Sequence, residues 1–466
     1  MKQKQVSLIF LALLACAGVH AAESPNIVII FADDMGYGDL GAYGHPTMRT
    51  PNLDQMADEG MRFTQFYAAA SVCTPSRAAL LTGRLPIRSG MAGGEARVLF
   101  PDSVNGLPAE EITIAEALRE QGYATAAVGK WHLGHHPQYL PLNNGFDSYY
   151  GIPYSNDMDR LVGGDFREPF WDPKVEYWNV PLMRDNEIIE RPANQHTITR
   201  RYTEEAVRFI RNNNENPFFL YLAHSLPHVP LFRDEAFAGV SKRGLYGDVI
   251  EEIDWSTGRI IETLREEGLA ENTLVFFTSD NGPWLWFETH GGSAGLLREG
   301  KGTTWEGGMR EPAIAWWPGT IAAGREEMAV AGTMDLFPTA LALAGAELPN
   351  DRIIDGKNLL PLLKEETSEA IHDVYFYYRG REIYAARKGP WKAHFITELA
   401  YVTDTQYTEH EPALLFNLDH DPSEQYDVAA EFPEIITEIL ADVAEHQAQL
   451  IAYPDQLADR SGVTED

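Results

Sequence analysis

The sequence predicts an α/β protein built on a mostly parallel sheet, and three observations predict it. Four short apolar runs, Asn26 to Ala32, Tyr123 to Val128, Pro217 to His224 and Leu274 to Ser279, have the continuous hydrophobic texture of strands buried on both faces. Helical patterns separate them, including Thr113 to Gln121, Thr203 to Asn212 and Gly247 to Glu267. Polar residues gather where the runs end: Asp33 and Asp34 after the first, Lys130 and His132 after the second, His224 and His228 at and after the third, Asp280 and Asn281 after the fourth. Ligands in open α/β sheets bind just beyond the carboxyl ends of the strands, so residues scattered over about 250 positions are expected to converge on one rim.

Residues 1–22 read as a secretory signal. Lys2 and Lys4 precede an apolar run from Val6 to Ala17, and Val19-His20-Ala21 offers small-residue cleavage. The run is too short for a spanning helix, and no later segment is apolar for long enough to span a bilayer. The expected location is therefore secreted or periplasmic. Leu13-Leu14-Ala15-Cys16 also resembles a lipoprotein-processing site, so an acylated, membrane-anchored Cys16 is the alternative. With 466 residues the chain exceeds one ordinary domain. We expect a catalytic domain over 23–364 and a smaller α+β domain over 365–466. There VYFYYRGREIYAARKGPWKAHF alternates like antiparallel strands, and Phe432 to Ala452 reads as a closing amphipathic helix. Internal repeats and low-complexity tracts are absent. The Gly-rich segment from Asn281 to Gly308 reads as a long loop bordering a pocket.

The formal charge of −32 argues against nucleic acid, which selects basic surfaces. If the substrate is a polyanion, either the site is a local basic funnel or the protein works in salt, which screens repulsion beyond about 10 Å at 0.1 M. A saline habitat would follow from the second reading, and plain solubility explains the acidity equally well.

Cleavage after Ala21 leaves Cys73 as the one cysteine, which excludes a disulfide in a compartment that permits them. Thr74 suits a helix cap, Pro75 the first helical position, and Ala78 to Leu81 continue the helix. Cys73 then lies where backbone N–H groups and the helix dipole favour an anion. Taken singly, such a cysteine reads as a small buried hydrophobe. Arg77, at i+4, is placed to reach the same point. Adjacent carboxylates such as Asp33-Asp34 are costly unless a cation neutralises them, and with Asp280 and Asn281 they offer the oxygen-only set that Ca²⁺ or Mg²⁺ prefers. Singly, such a pair is more often a solvated turn, and Lys130 with His132 a surface pair.

The pattern C-x-P-x-R at Cys73 to Arg77 changes that reading, because it is similar to the modification motif of type I sulfatases. The blocks NIVIIFADDMGYGDLGAYG, CTPSRAALLTGR, GKWHLG, TSDNG, GGSAGLLREGKGTTWEGGMREPAIAWWPG and LLFNLDHDPSEQYDVA extend the resemblance over nearly the whole chain. It is nearest to the branch holding arylsulfatase A and N-acetylgalactosamine-6-sulfatase. The resemblance implies an alkaline-phosphatase-like sandwich with a large sheet flanked by helices. It implies that a formylglycine-generating enzyme oxidises Cys73 to formylglycine, whose hydrated aldehyde is the nucleophile. It implies one Ca²⁺ on Asp33, Asp34, Asp280, Asn281 and the modified Cys73. Lys130, His132 and Lys301 match family residues that bind the sulfate and the formylglycine hydroxyl, His228 the residue near the leaving oxygen, and Ser155 a sulfate-proximal position; His224 matches none and is expected to pack.

The implied mechanism is covalent: attack on sulfur helped by Arg77, a proton from His228 with Lys301 nearby, and sulfate release helped by His132. His290, Ser155-Asn156-Asp157 and the aromatics Phe170-Trp171 and Tyr177-Trp178 are candidates for a sugar pocket. Asn281 separates the chain from similar zinc phosphatases, which carry histidine there. The implied substrate is a carbohydrate sulfate ester. The alternatives are a phosphodiester or phosphonate monoester hydrolase of the same superfamily and a sulfated-glycan binding protein with unmodified Cys73.

Overall fold

The computed structural model describes residues 24–164, 167–367, 370–402 and 404–461. The signal segment and Cys16 lie outside the described residues. The main sheet is made of β1 (Asn26–Ala32), β2 (Met61–Tyr67), β3 (Ala124–Lys130), β4 (Ser148–Ile152), β5 (Leu182–Arg184), β6 (Glu187–Glu190), β7 (Phe218–Ala223), β8 (Thr273–Ser279), β9 (Arg310–Trp316), β10 (Arg325–Glu327) and β11 (Ala331–Gly332). Its order is β10-β2-β9-β8-β1-β7-β3-β4-β5-β6, with β11 beside β2. The four strands read from apolar runs, β1, β3, β7 and β8, are parallel neighbours at its centre. Ile29 pairs with Tyr221 on one side and with Phe276 on the other.

Why these runs are central follows from their burial. Every residue of β1 is buried, and its side chains alternate between two cores: Val28 and Ile30 face one layer of helices, Ile27, Ile29 and Phe31 the other. The helices fall close to where periodicity puts them, at Ile114–Glu120, Ile198–Asn212 and Leu245–Glu266. The first has a capping box, Thr113 with Glu116. Two strands depart from the parallel expectation: β9 inserts antiparallel between β8 and β2, and β5 runs antiparallel to its neighbours β4 and β6.

A second, antiparallel sheet holds β12 (Val374–Arg379), β13 (Glu382–Lys388), β14 (Trp391–Thr397) and β15 (Thr408–Asn417), covered by the Pro433–Gln449 helix. The sheet and its covering helix share a core with the main sheet's edge: Tyr375 and Tyr377 of β12 and Ile439 of the helix belong to one cluster with Tyr67, Met309 and Met334. The chain then returns to the first sheet. Tyr453 N–H donates to Ile87 O at 2.9 Å, Gln456 N–H to Gly90 O at 2.9 Å, and Leu457 is fully buried. Among the described residues no helix is long and apolar enough to cross a membrane.

Candidate active site

The sheet delivers its polar residues to one rim. Asp33 and Asp34 leave β1 in a tight turn in which Asp34 has φ 66°, a conformation that non-glycine residues adopt only under constraint. The constraint comes from β8: Asp34 N–H donates to Asp280 Oδ1 at 3.0 Å, and Met35 N–H to Ser279 Oγ at 2.9 Å. Cys73 opens the Cys73–Thr82 helix that follows β2, with Sγ 3.5 Å from Asp33 Oδ1 and 3.6 Å from Lys301 Nζ. The capping expectation is corrected here. The helix begins at Cys73 after Val72, without a side-chain cap. Thr74 Oγ1 instead donates to His132 O at 3.0 Å and accepts from Leu99 N at 3.1 Å, tying the Cys73 turn to two other loops. Pro75 is therefore the third helical residue.

Three buried carboxylates face three buried cations. Arg77 is fully buried; its Nε and Nη2 both donate to Asp280 Oδ2, at 3.0 and 2.9 Å, and Nη1 donates to Lys130 O at 2.9 Å. Lys130 Nζ lies 2.7 Å from Asp33 Oδ2 and 3.2 Å from Ser155 Oγ, and Lys301 Nζ lies 2.7 Å from Asp34 Oδ2. Burial alone would raise Asp33, but Lys130 and Arg77 outweigh it and hold the carboxyl well below the usual range. Burial pushes Asp34 up to about 7 against the pull of Lys301, with Asp33 and Asp280 adding to the rise.

The histidines differ in what their rings have left to offer. His228 Nδ1 faces Asn156 Oδ1 at 3.1 Å while Asn156 Nδ2 donates to Pro230 O and Gln195 Oε1, so Nδ1 carries the hydrogen. Nε2 is thereby turned to the site, 3.6 Å from Asp34 Oδ2 and 3.4 Å from Ser155 Oγ. His132, at φ 61°, uses Nε2 on Leu99 O at 2.8 Å, which leaves Nδ1 buried without a partner in a residue that lines the site's cavity. Burial and nearby lysines keep both rings neutral, well below the usual histidine range. His224 is buried beside Ser256 and packs, as expected. His290 stacks on Trp171 at 4.6 Å and is not among the cavity-lining residues, in contrast to its expected place.

Cys73, His132, Ser155, His228 and Lys301 line a cavity of about 840 Å³. Its aromatic wall also departs from the sequence reading. Phe170 and Trp178 are buried against each other at 4.8 Å, whereas Trp284, Trp286 and Tyr401 line the space. Arg97, Asp455 and Arg460 complete the rim. Sequence reasoning missed all six. Trp284 lies three residues after Asn281 and was within reach of the motif; Tyr401 and the residues after 450 carry no local signal.

A cation fits the cluster. Ligand atoms of Asp33, Asp34, Cys73 and Asp280 lie within 4.8 Å of one another, and Asn281 Oδ1 is buried without a hydrogen-bond partner while its Nδ2 rests 2.7 Å from Asp34 Oδ1. An oxygen-rich set with an unpaired amide oxygen suits a hard ion such as Ca²⁺.

Fold and site together define an α/β hydrolase for anionic esters. The sulfatase family model matches residues 25–346, and the model for the C-terminal region of aryl-sulfatase matches 370–465. Arylsulfatase A of Bos taurus is 43% identical over 96% of this chain and 93% of its own length. N-acetylgalactosamine-6-sulfatase of Sus scrofa is 43% identical over 96% and 91%. The crystal structure of Ps i-CgsB in complex with k-i-k-neocarrahexaose is similar at 31% identity and TM-score 0.77, covering 91% of this chain and 93% of that one. The chain belongs to the sulfatase family and is a sulfuric ester hydrolase.

Proposed function

We propose that this enzyme hydrolyses sulfate esters of carbohydrates with a formylglycine nucleophile made from Cys73 and one Ca²⁺ held by Asp33, Asp34, Asp280 and Asn281. The observation that carries the reading is the position of Cys73. Its side chain lies at the floor of the cavity, inside one ligand-sized group with three carboxylates and within reach of Lys301. When bound, Ca²⁺ supplies a Lewis acid and template for a sulfate oxygen. The hydrated aldehyde supplies a hydroxyl that attacks sulfur and a second whose ionisation expels sulfate.

The chain's own residues do the rest. Arg77 fixes Asp280 and Asp33 and leaves the carboxylates no freedom to turn away. Lys130 and Lys301 offset charge on the sulfuryl oxygens as it spreads. The bare Nδ1 of His132 is the acceptor for the proton whose departure releases sulfate. His228 Nε2 protonates the departing alcohol; the anionic substrate beside it favours the imidazolium that burial disfavours in the free protein. A carbohydrate leaving group is supported by the aromatic wall at Trp284 and by the names of the relatives, which include an N-acetylgalactosamine-6-sulfatase and a complex with a neocarrahexaose. A maturation enzyme acting on Cys73 and export through residues 1–22 belong to the same reading.

Matured protein is assayed on 4-nitrophenyl sulfate, bis(4-nitrophenyl) phosphate, a phenyl phosphonate ester and a panel of sulfated galactose derivatives, with and without EGTA. The expected result is sulfate ester cleavage that EGTA abolishes and Ca²⁺ restores. Preference for the phosphorus esters, or full activity in excess chelator, contradicts the reading.

A further inference from the structure

Among the charged groups on the cavity wall that have no part in the chemistry above, Asp157 lies beside the groups proposed to act on the sulfate. Asp157 ends the Ser155-Asn156-Asp157 turn after β4, two residues from the serine that meets Lys130 Nζ, and lines the same cavity as Cys73, His228 and Lys301. Its Oδ1 is shut off from solvent and has no hydrogen-bond partner, and among the described residues no ion pair neutralises the carboxylate. Burial raises its carboxyl above the usual range, Lys130 and Lys301 oppose the rise from a distance, and Ser155 and its own backbone N–H lend it local hydrogen bonds that leave Oδ1 unpartnered. A carboxylate held this way is an acceptor in want of a donor.

The remaining wall is chemically different. Trp284 packs on His228 at 5.3 Å and on Tyr401 at 4.7 Å, and Lys301 Nζ sits over its ring at 4.4 Å. Beyond the sulfate, the leaving group therefore meets an aromatic face and the Asp157 carboxylate, on a wall that also carries Arg97, Asp455 and Arg460. A cation is a poor match, since the two lysines already repel positive charge there. A flat aryl or steroid leaving group brings no donor. A sugar ring brings both an apolar face and hydroxyls.

We infer that Asp157 determines the leaving group: it accepts a hydrogen bond from a ring hydroxyl near the sulfated carbon, while the Trp284 side of the cavity takes the apolar face of the ring. This rests on the carbohydrate reading and names how that site recognises its substrate. A hydrogen bond to a charged acceptor changes affinity by about 10- to 100-fold.

The test compares Asp157→Ala, Asp157→Asn and wild type, all carrying the aldehyde, on 4-nitrophenyl sulfate and on the monosulfates of galactose and N-acetylgalactosamine. The expected result is a fall of about 10- to 100-fold in kcat/KM for Asp157→Ala on the sugar sulfate the wild type turns over best, mainly through KM. Aryl sulfate turnover stays within about twofold, and Asp157→Asn, which keeps an acceptor oxygen, recovers part of the loss. A deoxy analogue lacking the hydroxyl beside the sulfated carbon reproduces the loss in wild type and costs the alanine variant nothing further. Equal losses on aryl and sugar sulfates, or no loss on either, overturn the inference, and if the alanine variant does not fold the same comparison is read on the asparagine variant. Wild type that cleaves no sulfate ester at all overturns the parent reading instead.

Discussion

Two buried ion clusters of similar make-up do different work, and the segment from Gly300 to Glu306 connects them. At the rim, Asp33, Asp34 and Asp280 meet Arg77, Lys130 and Lys301. Between the two sheets, Glu306 and Glu424 meet Lys392, Arg310 and His394: Lys392 Nζ is 2.9 Å from Glu306 Oε1 and 3.0 Å from Glu424 Oε1, and donates to Thr304 O at 2.8 Å. Tyr67 donates to Glu306 Oε2 at 2.7 Å, and Glu306 N–H to Glu424 Oε2 at 2.7 Å. Every carboxylate oxygen there has a donor, and Lys392, Arg310 and Arg387 outweigh burial to hold Glu306 at about 2. The one ring atom left over, His394 Nδ1, lies in a ring packed on Trp305 at 4.2 Å. At the rim Asn281 Oδ1 and His132 Nδ1 are left over, and His132 lines a cavity together with Cys73, His228 and Lys301. Buried charge alone therefore does not mark a site. Unsatisfied atoms facing open space do, and the sealed cluster serves as the anchor for the segment that carries Lys301.

The largest expected effect separates the clusters at the nucleophile. Cys73→Ala is expected to lower turnover by about 10⁴-fold or more while thermal melting stays that of the parent, because a single small side chain leaves the ion cluster intact. Comparable loss from a variant in the sealed cluster, with folding intact, would erase the distinction. Next comes His228→Gln, expected to lower kcat by about 10²- to 10⁴-fold on sugar sulfates and far less on 4-nitrophenyl sulfate, whose phenolate leaves without a proton. Equal losses on both substrates would remove His228 from the proton path.

The sealed cluster answers in stability. Lys392→Met removes the cation that Glu306 and Glu424 share, leaving Arg310 and His394 as their ion-pair partners, and is expected to destabilise the fold by about 3–5 kcal/mol in denaturant titrations, with kcat/KM of the folded fraction changed by less than about tenfold. A third kind of buried carboxylate gives the smallest effect. Glu252 has Asp234 N–H at 2.9 Å but an unpartnered Oε1, and burial pushes it up to about 8. A folded-state value above the unfolded one means that its contribution is complete below the ordinary glutamate range and is lost as pH rises through 8. Stability is thus expected to fall by on the order of 1–3 kcal/mol between pH 5 and pH 8, and Glu252→Gln to flatten that slope. Glu306 runs the other way, its contribution fading only as pH drops towards 2.

The legible part of this molecule was what local chemistry dictates. Fully buried central strands must be continuously apolar, so β1, β3, β7 and β8 stood out, and the residues after them fell on the rim. β2 and β9 were not found, since MRFTQFY mixes polar and apolar positions and an antiparallel insertion has no local signature. Thr74 looked like a cap because its side chain suits one; two tertiary hydrogen bonds claimed it instead. Phe170 and Trp178 looked like a sugar platform because aromatics serve that purpose, yet each is buried against the other. Tyr401 and Arg460 reach the cavity only through folding of the last hundred residues back onto the first sheet, which no spacing in the chain announces.

The most direct test is mass spectrometry of the peptide containing Cys73, from protein purified out of its native host or produced with a formylglycine-generating enzyme. The account predicts a peptide lighter than the cysteine form by about the mass of one water. An intact thiol in catalytically active native protein would contradict it.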